Sequence, residues 1–207
     1  VGGVAPSLAA RLAAEMLCRP RGRNPPQPWE HEPAPPPARL ILSGGLHALA
    51  WGEDGPLVLA QHGWRGRPTQ FLRIAAALAP MGYRVVALDA PGHGVSAGRR
   101  LSTRILADLL RAAADELGGA HAVIGHSFGG AAAGVAVDEG LAAKRLVLIG
   151  SPTRVSDMMT RLGVELGLPA GSRAALARLF EAHARRPLGE LDLVALGENV
   201  AARALVI

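Results

Sequence analysis

The chain has 207 residues, of which 49% are hydrophobic, so we expect one well-buried domain. Its single cysteine, Cys18, excludes an intramolecular disulfide and a cysteine metal cluster, and fits a reducing, cytoplasmic location. The net charge of +5 comes from scattered arginines and only 3% of the residues are aromatic, so we expect no nucleic-acid partner.

The first part of the chain is an apolar segment followed by a proline-rich one. Residues 4–18 are apolar but contain Arg11 and Glu15, and no cationic region precedes them. This pattern predicts an amphipathic surface helix rather than a secretory signal. Proline forbids regular helix or central strand in residues 19–38, which we interpret as a linker or an extended arm. We therefore assign 1–38 to an N-terminal helix and a proline-rich arm. Because the first residue is not methionine, we expect the amino end to be processed or incomplete.

Short apolar runs then alternate with helical patterns. Strands are predicted at 39–43, 46–51, 57–61, 83–88, 120–124 and 144–150, and helices at 69–80, 101–117 and 130–137. This alternation predicts a mostly parallel sheet with helices on both faces and ligands at the carboxyl ends of the strands, so we assign 39–152 to an α/β core. The uncharged stretch 120–137 has the length of a membrane span, but it contains two histidines and four glycines. We therefore expect no membrane-spanning segment there.

The turn Gly125-His126-Ser127-Phe128-Gly129 joins one of these strands to a helix. A serine there is held in a strained conformation at the carboxyl edge of the sheet, and the glycine two residues to either side leaves room for so sharp a bend. The amino end of the new helix aims free N–H groups at the same place, which suits an oxyanion. The pattern predicts that Ser127 is a nucleophile.

Two further loops follow predicted strands. They are His62-Gly63-Trp64 and Asp89-Ala90-Pro91-Gly92-His93-Gly94-Val95-Ser96. Their histidines and His126 have no acidic neighbours with metal-ligand spacing, so we predict structural hydrogen bonding and no metal. We expect Asp89 to tie down its own loop. Gly92, Gly94 and Ala97 fit a dinucleotide fingerprint poorly, because the helix does not start at once and the next strand does not end in an acid. We expect no cofactor.

The three motifs, in this order, resemble those of the α/β-hydrolase superfamily, and of its serine esterases and lipases in particular. The resemblance implies an α/β-hydrolase fold in which Ser127 is the nucleophile and the backbone N–H groups of Phe128 and Trp64 form an oxyanion hole. It also implies an enzyme that hydrolyses a small carboxylic ester through an acyl-serine, without metal or cofactor. Thioesters, lactones, carbon–carbon cleavage and perhydrolysis stay open as alternatives.

The family mechanism also needs an acid and then a histidine after the serine. The histidine that follows Ser127 is His183, which lies in a helical pattern and is interpreted as structural or exposed; Asp157 and Asp192 are weak candidates for the acid. Residues 153–199 look like a helical cap, and 200–207 look like the start of the core strand after which the family places its acid. We therefore expect a carboxyl-terminally incomplete hydrolase. A non-catalytic binding domain and an inactive fragment without the acid and the histidine are the alternatives.

Overall fold

The computed structural model describes residues 6–197 and 203–207, which form a seven-stranded sheet with helices on both faces. In chain order the strands are β1 (Ala38–Leu42), β2 (Leu46–Trp51), β3 (Leu57–Gln61), β4 (Arg84–Leu88), β5 (Ala122–His126), β6 (Arg145–Ile149) and β7 (Arg203–Val206). Their order across the sheet is β1-β2-β4-β3-β5-β6-β7. The pairs β1–β2 and β2–β4 are antiparallel, and the remaining pairs are parallel. The predicted mostly parallel sheet is confirmed.

Seven α-helices accompany the sheet in the described part of the chain. They are α1 (Pro6–Cys18), α2 (Leu72–Leu78), α3 (Thr103–Glu116), α4 (Phe128–Asp138), α5 (Val155–Glu165), α6 (Ala170–Ala184) and α7 (Leu193–Gly197). Short 3₁₀ helices occupy Pro28–His31, Ser43–Gly45, Pro68–Phe71, Ala79–Met81 and Leu188–Leu191. None of the helices within 6–197 and 203–207 is both long enough and apolar enough to cross a membrane.

The core lies on both faces of β3, all five residues of which are buried. On one face Leu59 packs in a cluster with Leu110 of α3 and Ala133 of α4. On the other face Val58 packs in a cluster with Ala75 of α2. Because both faces are covered, the central strands are continuous apolar runs rather than alternating patterns.

Serine and proline residues mark the ends of two of the helices. The Ser102 hydroxyl accepts the Ile105 N–H at 3.1 Å and caps α3. The predicted helical stretch 69–80 is present to within one residue at each end, as a continuous helical segment from Pro68 to Met81. Only its middle, the seven residues of α2, is α-helical, and 3₁₀ helices that contain Pro68 and Pro80 flank it.

The remaining predicted segments have mixed outcomes. The predicted N-terminal helix is confirmed from Pro6, and Val4 and Ala5 lie outside the described residues. The arm is an extended arm and not a free linker, because Glu30 accepts the Thr69 hydroxyl at 2.5 Å and contacts Arg67 at 3.6 Å. Residues 203–206 form the last strand, and 198–202, which include the last two residues of the predicted cap, lie outside the described residues. The boundaries at 38, 152 and 199 stay predictions.

Candidate active site

Ser127 occupies the turn between β5 and α4. Its backbone has φ 52° and ψ −123°, a left-handed conformation that costs a non-glycine residue about 1–3 kcal/mol and persists only where the surroundings enforce it. Its N–H donates to the Ile149 carbonyl of β6 at 2.8 Å, and its carbonyl accepts the Gly130 N–H at 2.9 Å. The turn is therefore held at both ends.

The glycines around Ser127 allow α4 to pass close over the sheet. A Cβ built on Gly125 would lie 2.7 Å from the Gly129 carbonyl oxygen and from the Gly130 nitrogen. A Cβ on Gly129 would lie 2.5 Å from the carbonyl oxygen of His62. These neighbours are backbone atoms, so a side chain at either position would displace the helix from the strand.

The turn after β3 meets Ser127 directly. A Cβ on Gly63 would lie 2.9 Å from the Ser127 Cβ and 3.3 Å from its Oγ. Among the hydrogen bonds of the described residues, none uses the N–H of Trp64 or of Phe128, and the latter is the first residue of its helix. The structure thus brings together the three site residues that the sequence predicted, and it leaves two backbone donors unused there.

A buried hydrogen-bond network joins the two loops after β3 and β4. The His62 Nδ1–H donates to the Gly63 carbonyl at 2.9 Å, and its Nε2 accepts the Ala90 N–H at 3.1 Å. His93 uses its ring in the same way: Nδ1–H donates to the Pro91 carbonyl at 3.0 Å, and Nε2 accepts the Arg65 N–H at 2.8 Å. Both nitrogens of each ring are thus engaged in structural hydrogen bonds, as expected for His62 and His93. The same expectation is wrong for His126, because its ring makes none of the side-chain hydrogen bonds found among the described residues.

Burial and charge fix the ionisation of this network. Burial is the main cause that lowers the pKa of His93 to about 4, so the ring is neutral near pH 7. Burial disfavours the ionised Asp89, but the Arg23 guanidinium and the Val95 N–H, which both donate to its carboxylate, lower the pKa of Asp89 below its usual value. Asp89 Oδ2 accepts that N–H at 3.0 Å, so Asp89 does tie down its loop as predicted.

A cavity of about 590 Å³ opens beside Ser127. Its lining is mostly apolar and includes Leu17, Leu101, Phe128, Met159, Leu162 and Phe180. The rings of Phe128 and Phe180 meet edge to face, with centroids 6.3 Å apart. Cys18 also lines the cavity, and burial raises the pKa of its thiol. The space suits an apolar group of a small molecule.

The weaker candidates for base and acid are placed as follows. His183 and Asp157 line the same cavity as Ser127. The Nδ1–H of His183 donates to the Leu179 carbonyl at 2.6 Å, and Nε2 lies 3.0 Å from an Arg100 nitrogen, so both ring nitrogens have partners. Asp192 lies elsewhere, at the amino end of α5, where its Oδ1 accepts a backbone N–H at 2.7 Å.

Sequence reasoning missed the part that the N-terminal segment plays at this site. Helix α1 packs against α6 and contributes Leu17 to the cavity wall, and the Leu17 carbonyl accepts the Trp64 indole N–H at 3.1 Å. In the arm, Arg23 forms a salt bridge with Asp89 at 2.9 Å. These contacts join residues far apart in sequence, and no local pattern in 1–38 signals them.

Comparisons with known proteins agree with this architecture. Residues 57–205 match the profile described as the alpha/beta hydrolase family. A human "Serine hydrolase-like protein" is 34% identical over 99 residues, which are 44% of this chain and 48% of that protein. "Esterase Rv0045c" of Mycobacterium tuberculosis is 33% identical over 102 residues, which are 46% of this chain and 32% of that protein. These alignments span about half or less of each relative's own length.

Solved structures share the fold at low sequence identity. The Pyrococcus furiosus esterase PF2001 has a TM-score of 0.59 and 17% identity, over 91% of this chain and 76% of that one. The N-acyl homoserine lactonase AidH has a TM-score of 0.61 and 19% identity, over 82% and 76% of the two chains. The matched family profile covers most of the chain, including the turn that carries Trp64, the turn that carries Ser127, and the strands before them. The chain therefore belongs to the α/β-hydrolase family.

Proposed function

We propose that this protein is a serine hydrolase that cleaves carboxylic esters through an acyl-serine intermediate. The observation that carries the proposal is the strained backbone of Ser127, held between a buried strand and a helix beside two unused N–H donors. Residues with such strained backbones cluster at active sites. Here the strained turn projects the side chain from the carboxyl edge of a parallel sheet, where ligands bind.

In the proposed reaction, Ser127 Oγ attacks the ester carbonyl carbon and its proton passes to a general base. The carbonyl oxygen becomes an oxyanion, which the N–H groups of Phe128 and Trp64 stabilise. The carbon–oxygen bond to the alcohol then breaks, the alcohol leaves with a proton, and water hydrolyses the acyl-serine to the carboxylic acid and free serine. Each N–H acts from the main chain, so the side chains of these two residues shape the cavity instead.

The cavity supports an apolar acyl or alkyl group in the substrate. Leucine, methionine and phenylalanine side chains of α1, α4, α5 and α6 make up much of its wall and favour a hydrocarbon group, although Arg154, Asp157, Arg161 and Glu165 also line it. We infer that 153–199 acts as a cap over a core of 39–152, that 200–207 belongs to the core, and that α1 completes the wall. The similarity to a named esterase agrees with this substrate class.

The experiment is a turnover series with p-nitrophenyl acetate, butyrate, hexanoate and decanoate. Ser127→Ala is expected to abolish turnover while circular dichroism stays unchanged, and Ser43→Ala, which changes an exposed serine, is the matched control. The apolar cavity predicts a higher kcat/KM for hexanoate than for acetate. Turnover retained in Ser127→Ala would refute the nucleophile assignment.

A non-catalytic binding function is the second candidate. The observation that favours it is the engagement of both ring nitrogens of His183, so that among the described residues we assign no general base to Ser127. Trp64 lines the cavity, so its fluorescence reports ligand entry, and Trp64→Phe is the control. Binding of N-butylhexanamide together with no turnover of any ester in the series would favour this candidate.

A further inference from the structure

We propose that Arg23 and Asn24 of the proline-rich arm are positioning residues that hold the turn Gly63–Gly66, and with it the Trp64 N–H, in the orientation that the reaction needs. This inference rests on the proposed function. Neither arm residue lines the cavity, so both act through other groups and not on the substrate.

Arg23 closes the loop after β4 from outside. One nitrogen of its guanidinium donates to both carboxylate oxygens of Asp89, at 2.9 and 3.0 Å, and its Nε–H donates to the His93 carbonyl. Asp89 in turn accepts the Val95 N–H at 3.0 Å. A Cβ on Gly94 would overlap both the guanidinium and the carboxylate, so the loop leaves this space open for the pair. The planar fork of an arginine contacts the start and the middle of the loop at once.

The loop and the arm together hold Arg65. His93 Nε2 accepts the Arg65 N–H at 2.8 Å, and the Asn24 N–H donates to the Arg65 carbonyl at 2.8 Å. Arg65 has φ 56°, a left-handed conformation that a non-glycine residue keeps only under constraint. One hydrogen bond from the loop and one from the arm thus constrain both peptide groups of this residue.

Trp64 lies between two held residues. On one side His62 Nδ1–H binds the Gly63 carbonyl, and on the other side Arg65 is held as described. The Gly66 N–H donates to the Gly63 carbonyl at 3.0 Å and closes the turn. An oxyanion donor accelerates a reaction only when it is aimed before the charge develops, and removal of one such donor lowers kcat by about 10²–10³. Release of Arg65 is therefore expected to lower kcat and to leave KM nearly unchanged.

The first test compares arginines of the arm. In turnover of p-nitrophenyl hexanoate, Arg23→Gln is expected to lower kcat by about 10- to 100-fold with KM within about twofold. Arg23→Lys keeps the charge beside Asp89 but not the planar fork, so it is expected to restore only part of the loss. Arg21→Gln changes an exposed arginine of the same arm and is the matched control. Equal kcat values for the Arg23→Gln and Arg21→Gln proteins would overturn the proposal.

The second test separates the backbone of Asn24 from its side chain. Asn24→Pro removes the N–H that binds the Arg65 carbonyl, whereas Asn24→Ala keeps it. The proline variant is expected to lose kcat as the Arg23→Gln protein does, and the alanine variant is expected to match the parent. If both variants lose kcat equally, the N–H is not the cause and this half of the proposal is wrong.

Amide hydrogen exchange separates failure of this inference from failure of the proposed function. A parent that turns over no ester refutes the proposed function, but its Arg65 amide still reports the constraint. That amide is expected to exchange at least about tenfold faster in the Arg23→Gln protein than in the parent, while the buried amides of β5 keep their protection, which also shows that the variant is folded. An unchanged Arg65 rate would overturn the inference.

Discussion

Protonation of His93 is the perturbation whose cost follows most directly from the structure. Its Nε2 accepts the Arg65 N–H, so the protonated ring would present a proton where it now offers a lone pair. The ring is buried, its centroid lies 5.0 Å from that of His62, and Arg23 and Asp89 are the charged groups beside it. Burial is the main cause that lowers its pKa to about 4.

The magnitude comes from the difference between the folded and unfolded pKa values. A histidine with a pKa near 6.5 when unfolded and about 4 when folded binds more protons in the unfolded state between these values. The free energy of unfolding therefore falls as the pH is lowered through this window. The full loss is about 3 kcal/mol, at about 1.4 kcal/mol for each pH unit. From pH 7 to pH 5 the loss due to His93 is about 2 kcal/mol.

The assay is urea unfolding at pH 7 and at pH 5. We expect His93→Gln to lower the free energy of unfolding at pH 7, but to lose about 2 kcal/mol less than the parent between pH 7 and pH 5. His31→Gln removes an exposed imidazole outside this network and is the control, expected to lose as much free energy of unfolding between pH 7 and pH 5 as the parent. If the parent and the His93→Gln protein lose the same free energy over this interval, the reasoning about the neutral ring is refuted.

Two further predictions concern stability. Gly129→Ala places a methyl group against the carbonyl oxygens of Gln61 and His62 and is expected to lower the free energy of unfolding by about 2 kcal/mol in urea titrations. Gly189→Ala enters open space and serves as the control, expected within about 0.5 kcal/mol of the parent; equal effects would contradict the close packing of α4. Asp192→Ala removes the acceptor of the Val155 N–H at the amino end of α5 and is expected to lower the free energy of unfolding by about 1 kcal/mol. Asp192→Asn keeps an oxygen at this place and is expected to retain most of that free energy. Equal melting temperatures for the Asp192→Asn and Asp192→Ala proteins would contradict a stabilising role of this hydrogen bond.

The sheet was predictable because its strands are signalled locally. Strand β3 was predicted to the residue, and the continuous apolar runs of β4, β5 and β6 were predicted to within two residues at each end. Burial on both faces leaves little choice of residue type in such strands. The turn at Ser127 was predictable for a similar reason, because a bend this sharp needs small residues at fixed offsets.

The contacts of the N-terminal segment were not predictable from its own sequence. Arg23 and Asp89 are 66 residues apart, and a proline-rich stretch with scattered arginines looks the same whether it is solvated or packed. The position of α1 against α6 likewise depends on tertiary contacts between helices that are far apart in sequence. The contribution of α1 to the cavity wall therefore follows from tertiary structure and not from local sequence.

The central claim is that Ser127 is the nucleophile. We would measure the intact mass of the protein after reaction with an alkyl fluorophosphonate, and locate the adduct by peptide mapping. We predict one adduct, on the peptide that carries Ser127, which is absent from the Ser127→Ala protein and present in the Ser43→Ala protein. An adduct on a different residue, or none on a parent whose circular dichroism shows it to be folded, would contradict the claim.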